Sequence, residues 1–159
     1  ISPNEAYQSI HWQVIVLIAA LIPLGIVIKS TGTDIFIGEL ISKIVADFSP
    51  NKQPYVLLGL IYLITMILTE VSSNTATAII MAPIVMAVTN QMGIDARPFI
   101  FAVCFAASAS FVTPVGYQTN LMVYGPGGYK FSDYWRMGLP LEILIVTAGT
   151  PLILHFWPF

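Results

Sequence analysis

Long apolar stretches separated by short polar clusters run through most of this chain. Residues 12–28 are almost continuously apolar, close to the roughly 20 residues that a helix needs to cross a bilayer. Trp12 at the start of this stretch and Lys29 at its end suit the two membrane interfaces. We therefore predict one membrane span over residues 12–29 and, from the same kind of pattern, a last span over residues 138–157.

Residues 33–48 show a different, amphipathic pattern. Apolar side chains recur at helical spacing: Phe36, Ile37, Leu40, Ile41, Ile44, Val45 and Phe48. Polar and charged side chains occupy the other face: Asp34, Glu39, Ser42, Lys43 and Asp47. Placing these charges in hydrocarbon would cost about 2.5–3.5 kcal/mol each. We therefore predict a helix that lies in the membrane interface.

Two apolar arms, residues 55–68 and 76–89, flank the polar cluster 69–75. Each arm has about fourteen residues, fewer than a comfortable span needs. Short arms joined by a polar tip predict a re-entrant hairpin over residues 54–92, which enters and leaves the membrane on one side. The alternative is a pair of tilted spans whose connecting loop lies in water.

The next apolar segment is interrupted in its middle. Pro98 suits the first turn of a helix that we expect to continue to Val112. The polar and glycine-containing stretch 113–120 then breaks it, which predicts a discontinuous span over residues 97–127. Such backbone is tolerated at membrane depth only where protein or a cavity covers it. Residues 131–137 carry aromatic and basic anchors and predict an interfacial segment before the last span.

Composition agrees with an all-α, multi-pass protein of the cell membrane. Of 159 residues, 57% are hydrophobic and 9% are charged, whereas soluble domains carry about 25% charged residues. The net charge of −2 offers no basic patch for nucleic acid. Cys104 lies in an apolar run, where we expect a small buried side chain. Because the chain begins with Ile1 and contains few spans, we expect a fragment of a larger protein.

The chemistry lies in the two polar breaks, at 69–75 and 113–120. Both are rich in hydroxyl and amide groups, and their broken backbone frees carbonyl oxygens that suit sodium. A helix that starts near Thr75 presents free N–H groups, which attract an anion. This combination is typical of an ion-coupled transporter. The alternative is that the Ser and Thr hydroxyls bond back to their own helices.

Two acidic side chains near these breaks allow more than one interpretation. Glu70 is either a proton or cation site, or a structural acid bonded to backbone N–H groups or to a partner in the missing half of the protein. Glu142 is expected to reach the interface or to pair with Arg136. No zinc-protease motif, nucleophile elbow or phosphate-binding loop occurs, so we do not expect an enzyme.

The two breaks together resemble the divalent anion:sodium symporter family, which moves dicarboxylates, citrate or sulfate with sodium. The matching residues are Thr69-Glu70-Val71-Ser72-Ser73-Asn74-Thr75-Ala76-Thr77-Ala78 and Thr113-Pro114-Val115-Gly116-Tyr117-Gln118-Thr119-Asn120. The chain looks like the second of the family's two inverted-topology repeats. The resemblance therefore implies as partners a missing N-terminal half, the lipid bilayer and a small anion, and we expect a homodimer.

The second motif departs from the dicarboxylate carriers, which commonly read Thr-Pro-Pro-Asn there. The form at residues 116–120 is similar to the branch with a regulatory domain between its halves, often associated with sulfate. The polar start at residues 1–8 would suit a preceding soluble domain. The resemblance places Ile1 in the cytoplasm and Phe159 outside, whereas the distribution of lysine and arginine favours the reverse orientation.

By resemblance, the hairpin tip and the second break form one sodium site and half of an anion site. The positions that match the sodium ligands are Thr69, Ser72, Asn74 and Gly116. The positions that match the anion ligands are Ser73, Asn74, Thr75 and Tyr117. The expected function is sodium-coupled symport of a small divalent anion, with sodium as the co-transported ion. The alternatives are a proton-coupled or arsenite/citrate-type permease of the same fold, or a membrane anion sensor that does not transport.

Overall fold

The computed structural model describes residues 12–159, although in its first helix the side chains of residues 13, 14, 17, 18 and 21 lie outside the description. The polar start at residues 1–8 also lies outside it. The described chain is helical and contains no strand. Its α-helices are α1 (Trp12–Ser30), α2 (Thr33–Ala46), α3 (Gln53–Thr69), α4 (Asn74–Met92), α5 (Arg97–Ser108), α6 (Gln118–Tyr124) and α7 (Phe131–Phe156). The predicted all-α class is confirmed.

Helix α3 lies at the centre of the molecule, packed mainly against α5. Helix α4 packs on α1, α2 and α5, and α7 covers parts of α3 and α5. The core between these helices is apolar and includes Leu57, Leu58, Ile61, Val85, Val88, Phe99, Ala102 and Ala106. The alanines on α5 let its backbone approach α3 closely. Three described segments are long and apolar enough to cross a membrane: Pro50–Thr69, Asn74–Met92 and Phe131–Phe156.

The hairpin arms are longer than the sequence pattern predicted. Helix α3 has 17 residues and α4 has 19, instead of about fourteen each. Pro54 occupies the first turn of α3, where its missing N–H costs nothing, and α4 continues through polar residues to Gly93. Gly93 ends it in the left-handed conformation at φ 65°. Arm length therefore no longer favours a re-entrant hairpin over two spans, and the re-entrant path stays a prediction.

Helix α2 packs into the fold along a face that includes one of its predicted polar residues, and its interfacial position stays a prediction. Asp34, expected on the polar face, is buried with 5% exposure, whereas the predicted apolar face leaves Phe36, Leu40 and Ile44 exposed. The reason lies in Gly38, where an added Cβ would stand only 3.3 Å from Val88 Cγ2. This small residue lets α2 lie close against α4 along the face that carries Asp34, Gly38, Ile41 and Val45.

One further prediction about local structure was wrong, and another is not tested. Residues 131–137 are the first part of α7, which runs without interruption through 26 residues, and their interfacial position stays a prediction. At 1.5 Å per residue this helix is about 39 Å long. Cys104, expected to be buried, is exposed because the inward face of α5 is formed by Ala102, Val103 and Ala106.

Candidate functional site

The tip of the hairpin joins the end of α3 to the start of α4. Ser73 adopts an extended conformation and caps α4, because its Oγ accepts the N–H of Ala76 at 3.2 Å. The first helical bond of α4 runs from the N–H of Thr77 to the Ser73 carbonyl at 2.9 Å. The N–H groups of Asn74 and Thr75 consequently lie outside the helical ladder, at the positive end of the helix. This geometry can receive an anion.

Thr69 connects the two sides of the tip to a second helix. Its buried Oγ1 lies 2.8 Å from Asn74 Oδ1 and 2.8 Å from the carbonyl oxygen of Ala107. A hydroxyl carries one hydrogen, so it donates to one of these oxygens at a time. Thr69 therefore holds the start of α4 and the end of α5 close to the last turn of α3.

The second break covers residues 109–117, between the end of α5 and the start of α6. It begins four residues earlier than the predicted break at 113–120, because α5 ends at Ser108 and not at Val112. Hydrogen bonds attach the break to the hairpin tip: Ser110 Oγ donates to the Thr69 carbonyl at 3.4 Å, and Thr113 Oγ1 donates to the Glu70 carbonyl at 2.9 Å.

Gly116 lies at a close approach between the break and the hairpin tip. A Cβ at this position would overlap Ser110 Oγ and would lie 3.2 Å from the Thr69 carbonyl oxygen. The Gly116 N–H donates to Thr113 Oγ1 at 3.1 Å, which fixes the turn. Glycine is needed here because of this close approach. Thr69 and Gly116, two predicted sodium positions, are therefore neighbours.

The structure brings some predicted site residues together and leaves others apart. Thr69, Asn74 and Gly116 meet at one place. Ser72 and Thr75 share the hairpin tip, and among the described residues no group bonds to their hydroxyls. The Ser73 hydroxyl is used as a cap. The side chain of Tyr117 is 51% exposed, and we find no hydrogen bond or ring contact for it within residues 12–159.

Three residues that the sequence analysis did not place in the site support it. Asn120 Nδ2 donates to the carbonyls of Ser110 at 2.9 Å and Thr113 at 3.3 Å, and Tyr134 donates to the Asn120 carbonyl at 2.8 Å. Asn120 is the last residue of the second polar motif, so its amide could have been recognised from the sequence as part of the site. Ser110 and Tyr134 carried no signal, because their partners are distant in sequence.

Each of the two acids near the breaks bonds to a backbone N–H group. Glu70 Oε1 accepts the N–H of Val112 at 3.1 Å. The prediction for Glu142 was wrong: its side chain is buried, with 7% of its surface exposed, and Oε1 accepts the N–H of Phe111 at 3.2 Å. It neither reaches the interface nor pairs with Arg136. Burial against the break, where N–H groups lack helical partners, explains the difference.

The oxygens at the centre of the site suit a hard monovalent cation. The hydroxyl and carbonyl of Thr69 and the amide oxygen of Asn74 are neutral donors. No group of three or more His, Cys, Asp or Glu side chains is placed to hold a metal ion in the described part of the chain. Neutral oxygens with freed carbonyls are the donor set expected for co-transported sodium.

Comparison with known proteins identifies the family. A model of the citrate transporter family matches residues 1–106 and 73–158. This chain belongs to that family. Members of the citrate transporter family are multi-pass membrane transporters and not enzymes, as the sequence predicted.

Individual relatives of this citrate transporter family member support the predicted resemblance. An uncharacterised transporter of Synechocystis sp. is 46% identical over 96% of the chain and 24% of its own length. Sodium/sulfate cotransporter 2 of Chlamydomonas reinhardtii is 30% identical over 92% of the chain and 16% of its own length. A sodium-dependent high-affinity dicarboxylate transporter of Caenorhabditis elegans is 31% identical over 89% of the chain and 24% of its own length. The chain spans about a quarter of the length of the first of these relatives.

Proposed function

We propose that this chain forms the C-terminal half of the transport domain of a sodium-coupled symporter for a small divalent anion. The observation that carries the proposal is the contact between the two breaks, where the Thr69 carbonyl lies beside Ser110 and the position of Gly116. Sodium would bind among Thr69, Ser72, Asn74 and Gly116, through hydroxyl, amide and carbonyl oxygens. The anion would bind at the start of α4, on Ser73, Asn74 and Thr75, with Tyr117 at its edge.

The rest of the transporter would complete this site. We propose that residues 12–29, 33–48, 54–92, 97–127 and 138–157 are the span, interfacial helix, re-entrant hairpin, broken span and last span of one inverted repeat. A first repeat would supply the other half of the anion site, and two such proteins would form a dimer. Transport would follow by alternating access of the repeat interface.

The first test is sodium-dependent uptake by the full-length protein in proteoliposomes. A sudden sodium gradient should drive uptake of at least one anion from a panel of sulfate, succinate, citrate and phosphate. The relatives include a sodium/sulfate cotransporter and a dicarboxylate transporter, so the panel must contain both classes of anion. Absence of sodium-driven uptake for every anion would contradict the proposal.

The second test removes one amide. Asn74→Ala deletes the oxygen that lies 2.8 Å from Thr69 Oγ1, and we expect it to abolish coupled uptake without reducing membrane insertion. Asn90→Ala is the matched control, because Asn90 lies on the same helix and is exposed. Near-normal sodium-dependent transport by Asn74→Ala would remove the hairpin tip from the mechanism.

A proton-coupled permease of the same fold is the second candidate. The observation that favours it is Glu70, whose Oε2 is buried and has no hydrogen-bond partner within the described residues. Uptake that follows pH and ignores sodium would support this candidate and contradict sodium coupling. A non-transporting sensor is separated from both by counterflow, because it would exchange no labelled anion across the vesicle membrane.

A further inference from the structure

Helix α7 touches the second break directly, backbone against backbone. At Gly138 an added Cβ would overlap the carbonyl oxygen of Phe111 and would lie 2.8 Å from Val112 Cα. Any residue other than glycine would therefore push α7 away from these two residues. The helix is pressed against the middle of the break, where the chain has no helical hydrogen bonds of its own.

Glu142 makes a specific bond at the same place. It follows Gly138 by four residues, so both lie on one face of α7. Its Oε1 accepts the N–H of Phe111 at 3.2 Å, and the next N–H along the chain, that of Val112, goes to Glu70 Oε1 at 3.1 Å. Two consecutive backbone N–H groups are thus held by carboxyl groups from two different parts of the fold.

The two carboxyl groups therefore bind neighbouring N–H groups of one short segment. Glu70 Oε2 is buried, and no donor from the described residues reaches it. An amide in place of the Glu142 carboxyl would keep an acceptor oxygen for the backbone.

The position of Phe111 and Val112 is transmitted to the proposed sodium ligands. Thr113 follows them, donates to the Glu70 carbonyl, and accepts the N–H of Gly116. Gly116 in turn lies against the Thr69 carbonyl. A shift of the backbone at Phe111 therefore moves Gly116 relative to Thr69.

We propose that Glu142 is a positioning residue for transport, acting through the Phe111 N–H to hold the break in register with the hairpin tip. This inference rests on the proposed sodium-coupled function. It concerns an acceptor oxygen at one place and not the negative charge of Glu142. Glutamine at position 142 should therefore preserve the function of Glu142. Aspartate keeps the charge but is one methylene shorter, so it should fail to reach Phe111.

The test compares Glu142→Gln, Glu142→Asp and Glu142→Leu in the full-length protein, with Glu39→Gln as control because Glu39 is exposed on α2. The measurements are the amount of folded protein in the membrane, the sodium concentration for half-maximal uptake, and the maximal rate. We expect the Asp and Leu variants to raise the half-maximal sodium concentration by about tenfold or more, and the Gln variant to stay within about threefold of wild type.

The outcomes separate this inference from the function on which it rests. Wild-type protein without sodium-dependent uptake contradicts the proposed function itself. Two outcomes with a functional wild type would overturn the positioning role alone. In the first, Glu142→Asp leaves the sodium concentration for half-maximal uptake unchanged. In the second, Glu142→Gln is impaired as much as Glu142→Asp. If Glu142→Leu does not insert, the comparison of Gln with Asp still decides, because both keep a polar side chain at the site.

Discussion

Replacing Gly138 with alanine tests whether α7 determines the position of the second break. The new Cβ would overlap the Phe111 carbonyl oxygen and would lie 2.8 Å from Val112 Cα. Ordinary carbon–carbon contacts are about 3.5–4.0 Å, so the two backbones must separate by about 1 Å. Both atoms in the way belong to the backbone and cannot rotate aside.

The size of the effect follows from two opposing contributions. Alanine in a helix interior is more stable than glycine by about 0.5–1 kcal/mol. Inserting a methyl group into a packed site costs about 1–3 kcal/mol, and rigid backbone neighbours favour the upper part of that range. We therefore expect Gly138→Ala to lose about 1–2 kcal/mol of stability on balance.

The assay is thermal unfolding of the purified full-length protein in detergent, combined with sodium-dependent uptake in proteoliposomes. Gly59→Ala on α3 is the control, because no described heavy atom lies within 4 Å of its added Cβ. The control should unfold at or above the wild-type temperature, whereas Gly138→Ala should unfold a few degrees lower and need more sodium. The reasoning is refuted if Gly138→Ala matches Gly59→Ala in both measurements.

Other substitutions test the remaining contacts of the site. Thr69→Val removes the hydroxyl between Asn74 and Ala107 and should cost about 1–3 kcal/mol and weaken sodium dependence, whereas Thr65→Val loses only a bond to its own helix and should keep uptake; equal effects of the two would contradict the bridging role of Thr69. Asn120→Asp exchanges the donor to the Ser110 carbonyl for an acceptor, so uptake should fall by about tenfold or more, a result that wild-type rates would disprove. Tyr134→Phe removes one bond to the Asn120 carbonyl and should lower the uptake rate less than Asn120→Asp does; the opposite order would exclude Asn120 as the main support.

The sequence predicted the features of the fold that depend on local pattern. The hairpin tip lies between two helices, and the second starts at Asn74, one residue before the predicted start near Thr75, because an apolar run that follows Ser and Asn is a strong local signal for a helix start. The second break also lies in the predicted region. The family resemblance was correct because both polar motifs occur in order along one chain.

The sequence did not predict contacts that depend on distant residues. Residues 109–112 were expected to be helical, since their small and apolar side chains continue the pattern of α5, yet the N–H groups of Phe111 and Val112 bond to glutamates far away. The partner expected for Glu142 was Arg136, which is close in sequence, whereas the observed partner is the distant N–H of Phe111. Asp34 was assigned to a polar face, because periodicity does not reveal that Gly38 lets α4 cover it.

The hydrogen bonds that hold Phe111 and Val112 also limit when this region can form during folding. Glu70 precedes Val112 by 42 residues, whereas Glu142 follows Phe111 by 31. The bond from Phe111 to Glu142 therefore cannot exist until α7 has been synthesised and has packed against α5. Contacts of such wide sequence separation close late and slowly. We therefore expect the proposed ion site to be among the last parts of this chain to be completed, so that a protein truncated before Glu142 would insert its hairpin without a finished site.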